Sequence, residues 1–171
     1  MNIKGIGELE RDPDIEEWLV SKPVSIPYIG GEQLQFIVED IEHDSNKDEY
    51  IIAIHNFLSL QLEDRIKASE YVFQTYKRFC EQVDADDVLV KIDNIQDVWN
   101  YVQATEIHVS RRPYGDKKVY VQLIAECGWE IEHGLQLVFR YGNELNRVSE
   151  QDGHLTHCDA YALPENEDRI C

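Results

Sequence analysis

The feature that most constrains this chain is a run of period-two alternation from Val119 to Ser149, interrupted by one loop with a glycine at either end. Val119, Val121, Leu123 and Ala125 alternate with Tyr120, Gln122, Ile124 and Glu126, and Leu135, Leu137 and Phe139 resume the pattern beyond the loop. Successive side chains on a strand point to opposite faces, so both stretches read as strands. Tyr141-Gly142-Asn143-Glu144 supplies a tight reversal into a third strand over Leu145 to Ser149, because Gly and Asn tolerate positive φ. The pairing is expected to be antiparallel. Gly128 and Gly134 let the intervening loop bend at both ends and present Trp129, Glu130, Glu132 and His133 together. These four are the candidate binding or structural residues. An ordered loop, locked by the indole of Trp129 and a hydrogen bond from His133, is the structural reading.

Upstream, the periodicity changes to that of helices. Tyr50 to Leu58 is amphipathic, and Leu62, Ile66, Ser69, Phe73, Tyr76 and Cys80 recur at intervals of four and three, flanked by Val72 and Phe79. One long helix with an apolar, core-forming stripe is expected there, ending over Asp84 to Asp87. Ser45 or Asp48 is expected to cap the shorter helix. Asp93 and Gln96 have capping-box spacing before a second helical face of Ile95, Val98, Trp99 and Val102. Val88 to Ile92 reads as strand or loop. Thr105 to Arg111 alternates as a strand and leads into a turn carrying Arg111, Arg112, Lys117 and Lys118, four bases able to hold an anion but more simply solvated.

Before the helices the chain reads as a small β segment. Pro23 and Pro27 demote Trp18 to Pro27 to an edge strand or irregular extended chain, since Pro cannot donate to a ladder. Tyr28 to Glu32 is a turn, and Gln33 to Val38 a strand. Glu39 to Glu49 reads as a solvated acidic loop. The resulting class is α+β: a C-terminal antiparallel sheet packed by the middle helices, with a small N-terminal β segment. A single domain over 1–171 is expected, divided into an acidic β segment (1–49), helices (50–103), sheet (104–149) and an acidic tail (150–171).

Charge bounds the function. The net charge is −18, and residues 1–50 alone hold 13 acids against 4 bases. A field of that sign repels phosphate backbones and anionic headgroups, so nucleic acid and membranes are excluded as partners and a basic protein is favoured. Glu16, Glu17, Asp40 and Glu42 are the candidate acidic surface. No apolar run approaches the ~20 residues of a membrane span. The N-terminus turns acidic at once, without a signal-peptide core, so the expected address is the cytoplasm. The scattered Cys80, Cys127, Cys158 and Cys171 do not make a disulfide framework.

Motifs of common chemistry are missing. Gly5-Ile6-Gly7 is followed by Glu10 where a dinucleotide fingerprint needs a third glycine, and there is no P-loop, nucleophile elbow or His-Glu-x-x-His. No cofactor is expected. Glu132 and His133 in one loop and His154, His157, Cys158 and Asp159 in another are types that ligate zinc, and they define the alternative of a metal-dependent hydrolase. Cys127 with His133 as nucleophile and base has no orienting third group. Non-catalytic protein binding is the leading expectation.

Trp129-Glu130-Ile131-Glu132-His133-Gly134-Leu135, with the apolar run after it, resembles the Trp-x-x-Glu-His-Gly-Leu signature of a large family of small bacterial domains, some with relatives near polymorphic-toxin immunity genes. The Trp18 to Pro27 segment is similar too. The resemblance implies a bacterial cytoplasmic protein and, through the acidity common among immunity proteins, neutralisation of a basic partner. It carries no catalytic residue onto this chain.

Overall fold

A computed structural model describes residues 1–84 and 88–171. Eight strands form one twisted sheet in the order β1-β2-β3-β6-β7-β8-β9-β10. Its C-terminal half is the antiparallel series β7 (Val102–Arg111), β8 (Val119–Cys127), β9 (Leu135–Arg140) and β10 (Glu144–Ser149). The N-terminal half is β1 (Asn2–Ile3), β2 (Gly7–Arg11), β3 (Trp18–Ser21) and β6 (Phe36–Glu39), also antiparallel. The two halves are stitched by a parallel pair, β6 with β7, in which Phe36, Ile37 and Val38 face Ile107, His108 and Val109. A parallel pair needs a long crossover, and the two helices between these strands provide it. The α+β class read from the sequence is the one observed, with the N-terminal strands continuing the main sheet.

Several details differ from the sequence reading. β3 is an interior strand rather than an edge, because Pro23 and Pro27 fall outside it: Pro23 follows Lys22, and Pro27 opens the 3-10 turn (Pro27–Ile29) that joins β4 (Val24–Ile26) to β5 (Glu32–Leu34) in a separate two-stranded hairpin. Gln33 to Val38 is accordingly two strands, divided at Gln35. Part of the acidic stretch Glu8 to Glu17 is strand β2. Ile95 to Tyr101 is 3-10 helix, and its N-cap Asn94 makes no side-chain cap bond, so the expected capping box does not form. Val88 to Ile92 is loop, tied to the second helix by Tyr76 Oη, which accepts from Ile92 N at 3.1 Å.

Helices α1 (Lys47–Ser59) and α2 (Leu62–Gln82) cover one face of the sheet. Neither Ser45 nor Asp48 caps α1, whose N-cap is Asn46. The start of α2 is fixed by reciprocal bonds between Gln61 and Asp64. The expected end of α2 at Asp84 to Asp87 lies mainly on residues 85–87, outside those described. The buried residues of α2 are Ala68, Ser69, Val72, Phe73, Thr75 and Tyr76. Ile66 fits the four-three spacing and is nonetheless 62% exposed.

The core lies between this helical layer and the inward side chains of the strands. Phe57 of α1 meets Phe139 of β9 at 5.3 Å between ring centroids, and Tyr28 meets the same Phe139 at 5.3 Å, both edge-to-face. Full burial of rings this size supplies roughly 2–3 kcal/mol each. Gly142 fixes the register of the last hairpin against α1: its φ is +82°, and a Cβ there would stand 1.9 Å from the carbonyl oxygen of Ala53. Gly142→Ala therefore forces the hairpin off the helix as well as straining its own backbone. We expect a loss of roughly 2–4 kcal/mol, read as a lowered Tm by calorimetry; an unchanged Tm would mean that hairpin and helix separate without cost.

Candidate functional site: a groove on the open face of the sheet

The face of the sheet opposite the helices is only half covered. After β10 the chain folds back across β8, β9 and β10, placing Leu155 against Tyr120 and Val138 to make a second, small apolar cluster. It continues through the short helix α3 (His157–Tyr161) to Ile170, whose carbonyl accepts from Val148 N on the edge strand at 2.7 Å. The segment 150–171 is thus a docked layer, which is why β8 is buried on both faces instead of the one its alternation suggested.

Two buried guanidinium groups hold that layer. Arg112, 2% exposed, donates through Nε and Nη2 to both oxygens of Asp159 at 2.7 and 2.6 Å and through Nη1 and Nη2 to Glu165 at 2.9 and 2.6 Å. Arg147, 1% exposed, forks onto Asp152 at 2.6 Å on each side and also donates to the carbonyl of His154. Such bidentate, charge-assisted bonds are the strong kind. The Arg112 guanidinium holds the Asp159 carboxyl below its ordinary value. Arg111 is bonded instead to Asp44 and Glu49, at the start of the helical segment. The turn read as four bases, able to hold an anion but more simply solvated, therefore has two of them committed to internal carboxylates: Arg111 to Asp44 and Glu49 of the stretch read as a solvated loop, and Arg112 to Asp159 and Glu165.

What the docked layer leaves open is a groove over β7 and β8. One end, of about 800 Å³, is lined by Trp18, Glu39, His108, Gln122 and His154 among others. It shares Ile124 and Gln151 with a second compartment of about 810 Å³ lined by Gln103, Glu106, Glu126, Glu130, Glu132 and His133.

His108 stands at the centre of the first compartment. Its Nδ1 lies 2.7 Å from Glu39 Oε1 and its Nε2 lies 3.0 Å from Glu106 Oε1, while its ring meets Trp18 edge-on at 5.5 Å. Burial would lower the imidazole's pKa, but the hydrogen bonds to the two carboxylates outweigh it and hold it above its ordinary 6.5. The sequence reading missed this trio. The spacing of Glu106 and His108 on one strand face was visible, but the arrival of Glu39 and Trp18 depends on the parallel β6–β7 pairing.

The central loop divides by burial. Trp129 is 2% exposed and packs edge-on against Tyr76 at 5.8 Å. Glu130 turns inward, its Oε1 accepting from Glu132 N at 2.9 Å and His133 N at 3.4 Å. Glu132 and His133 are exposed on the groove wall. Gly134 has φ +63°, and a Cβ there would lie 2.6 Å from the Ala125 carbonyl oxygen, so only glycine closes the loop onto β8. Burial pushes the Cys127 thiol up to about 11, and its Sγ donates to the Glu130 carbonyl. A thiol so held is a poor nucleophile.

The metal candidates are dispersed. Among the described residues the one trio with ligand atoms within 4.8 Å of each other is Cys158, Asp159 and Glu165, and Arg112 already donates to all three. His157 Nε2 accepts from Arg169 Nε at 2.9 Å, with its pKa lowered by burial and by that neighbouring charge. His133 and His154 line different compartments. All four cysteines are free thiols.

The acidic candidates gather at the end of β3 and β6. Asp40 N donates to the Glu17 carbonyl at 3.1 Å, and Arg11 reaches both the Glu16 carbonyl at 2.8 Å and Glu42 Oε2 at 2.6 Å. Glu39 and Asp40 continue this surface into the groove.

The fold and groove define an α+β domain with a half-covered mixed sheet. The chain belongs to the family described as a domain of unknown function, DUF6985, whose model matches residues 5–155. No curated protein and no solved structure matches it. Among the described residues no helix is long and apolar enough to cross a membrane.

The raised pKa of His108 has a definite sign. Its folded value lies above the unfolded one, so its contribution to stability is complete below about pH 6.5 and disappears as pH rises through the folded value. Wild-type stability should fall across that window, and His108→Gln should flatten the fall. Chemical denaturation at a series of pH values checks this; the same slope in both proteins would show His108 to be uncoupled from its carboxylates.

Proposed function

We propose that the protein is a non-catalytic binding module that holds a basic protein against the acidic end of its sheet. The observation that carries the reading is the backbone bond between Asp40 and Glu17. It joins two acidic stretches, distant in sequence, into one surface that runs into an open groove. The resemblance to domains near immunity genes gives the proposal its specific form: a bacterial cytoplasmic protein that neutralises a basic one. The alternative of a metal-dependent hydrolase through Glu132, His133 and the His154 to Asp159 cluster has less support, because the donors that do converge are occupied by a guanidinium.

The test is kinetic. A partner recovered from the native host should bind with an on-rate that falls with added salt over a screening length of roughly 8 Å. Glu16→Gln, Glu17→Gln, Asp40→Asn and Glu42→Gln together should slow association about tenfold and flatten the salt dependence. Asn suits the left-handed backbone of Asp40, φ 55°, and the Arg11–Glu42 pair is too exposed to matter much for stability, so Tm should hardly move. A salt-independent on-rate that the four substitutions leave unchanged would sink the proposal.

A further inference from the structure

The two compartments of the groove differ in charge. The one over His108 is close to balanced: Glu39, Asp40, Asp44 and Asp159 face Arg111, Arg112, Lys117 and the imidazole itself. The other is lined by Glu106, Glu126, Glu130 and Glu132 with no lysine or arginine. Glu126 and Glu132 are exposed and form no ion pair among the described residues. Among the described residues, no three metal-ligating side chains of this compartment bring their ligand atoms within 4.8 Å of one another. So wide a set suits a cation on a long flexible stem rather than a bare divalent ion.

Gln122 makes the second, independent observation. It projects from the middle of β8 on the open face, between His108 of β7 and Val138 of β9. It is only 8% exposed, and it lines the groove. Buried polar side chains are ordinarily hydrogen-bonded; the Nε2 of Gln136, two registers away, donates to Ser149, Asp152 and His154, although its Oε1 has no partner among the described residues. The Gln122 carboxamide makes no such bond among the described residues. A primary amide presents donor and acceptor together, the complement of a peptide unit.

We infer that the groove takes an extended basic segment of the partner polypeptide, with a backbone amide on Gln122 and a lysine or arginine side chain at the end formed by Glu106, Glu126, Glu130 and Glu132. Gln122 and Glu126 are four residues apart on one strand, about 13 Å, a span that four extended residues of the partner match. The apolar floor at Ile124 lies between the two points. This inference rests on the reading of the protein as a binder of basic proteins, and it assigns the recognition to the groove as distinct from the surface at Glu16, Glu17, Asp40 and Glu42.

The experiment is a titration of the ¹⁵N-labelled full-length protein with the capped peptide Ala-Lys-Ala-Lys-Ala-Lys-Ala and with its glutamate counterpart, followed by NMR. The lysine peptide should move the Gln122 side-chain amide and the backbone amides of Ile124 and Glu126, and the glutamate peptide should not. Gln122→Leu and, separately, Glu126→Gln with Glu132→Gln should each weaken the lysine peptide about fivefold. Shifts confined to the neighbourhood of Glu16, Glu17, Asp40 and Glu42 would overturn the groove assignment while leaving the proposed function standing. Full affinity in the Gln122→Leu protein, or equal shifts with the glutamate peptide, would overturn the assignment too. A lysine peptide that moves no resonance would overturn both.

Discussion

The buried guanidinium of Arg112 is the interaction on which the open face of this protein depends. At 2% exposure its charge has lost its water, and the loss is offset only because Asp159 and Glu165 surround it with short, directed bonds. Removing one partner of such a pair strands the other, so the two sides are held to each other. Arg112 follows directly on β7, and its carboxylates Asp159 and Glu165 belong to the C-terminal segment. Their bonding pulls that segment across β8 and β9, with Leu155 sealing Tyr120 and Val138 beneath it. Arg147 and Asp152 repeat the device nearer the turn. The match to the family ends at Leu155, so the acids that satisfy Arg112 lie beyond it.

The groove follows from how far that layer reaches. It covers β8 to β10 and stops, leaving β7, the near half of β8 and the Trp18–Glu39 end of the N-terminal strands open to the same side. The parallel β6–β7 pair is what places Glu39 beside His108 and thereby joins the acidic N-terminal end to the groove. The protein's large negative charge is therefore uneven in its consequences. Acids near Arg111, Arg112 and Arg147 are consumed in holding the fold, whereas Glu126, Glu132, Glu17 and Asp40 remain exposed on the surface.

Much of the C-terminal sheet was legible because local pattern decides it. Alternation located β8 and β9, and Gly142 announced the hairpin. The four-three spacing located α2, though not which side of it is buried, since Leu62 and Ile66 fit the period yet are exposed. Pairings between distant segments left no local trace. Prolines suggested an edge at Trp18 to Pro27, whereas β3 ended before the first of them and could enter the sheet. The bases at Arg111 and Arg112 resembled a solvated turn because their carboxylate partners lie 47 to 67 residues away. In the central loop, residue type alone did not separate Trp129, buried against Tyr76, from Glu132 and His133, exposed on the groove wall.

The central claim is that a buried arginine, by docking the C-terminal segment, builds one wall of the groove. Amide hydrogen exchange on wild-type protein and on Arg112→Met tests it directly. Met keeps the apolar stem while removing the charge that Asp159 and Glu165 surround. The account predicts faster exchange through residues 155–168 and along the groove edge at Gln122, with β6, β7 and the helical face as protected as in the wild type. Unchanged protection across 155–168 would contradict it by showing that the segment docks without the ion pairs, and exchange rising equally throughout the sheet would show that Arg112 supports the whole fold rather than this wall.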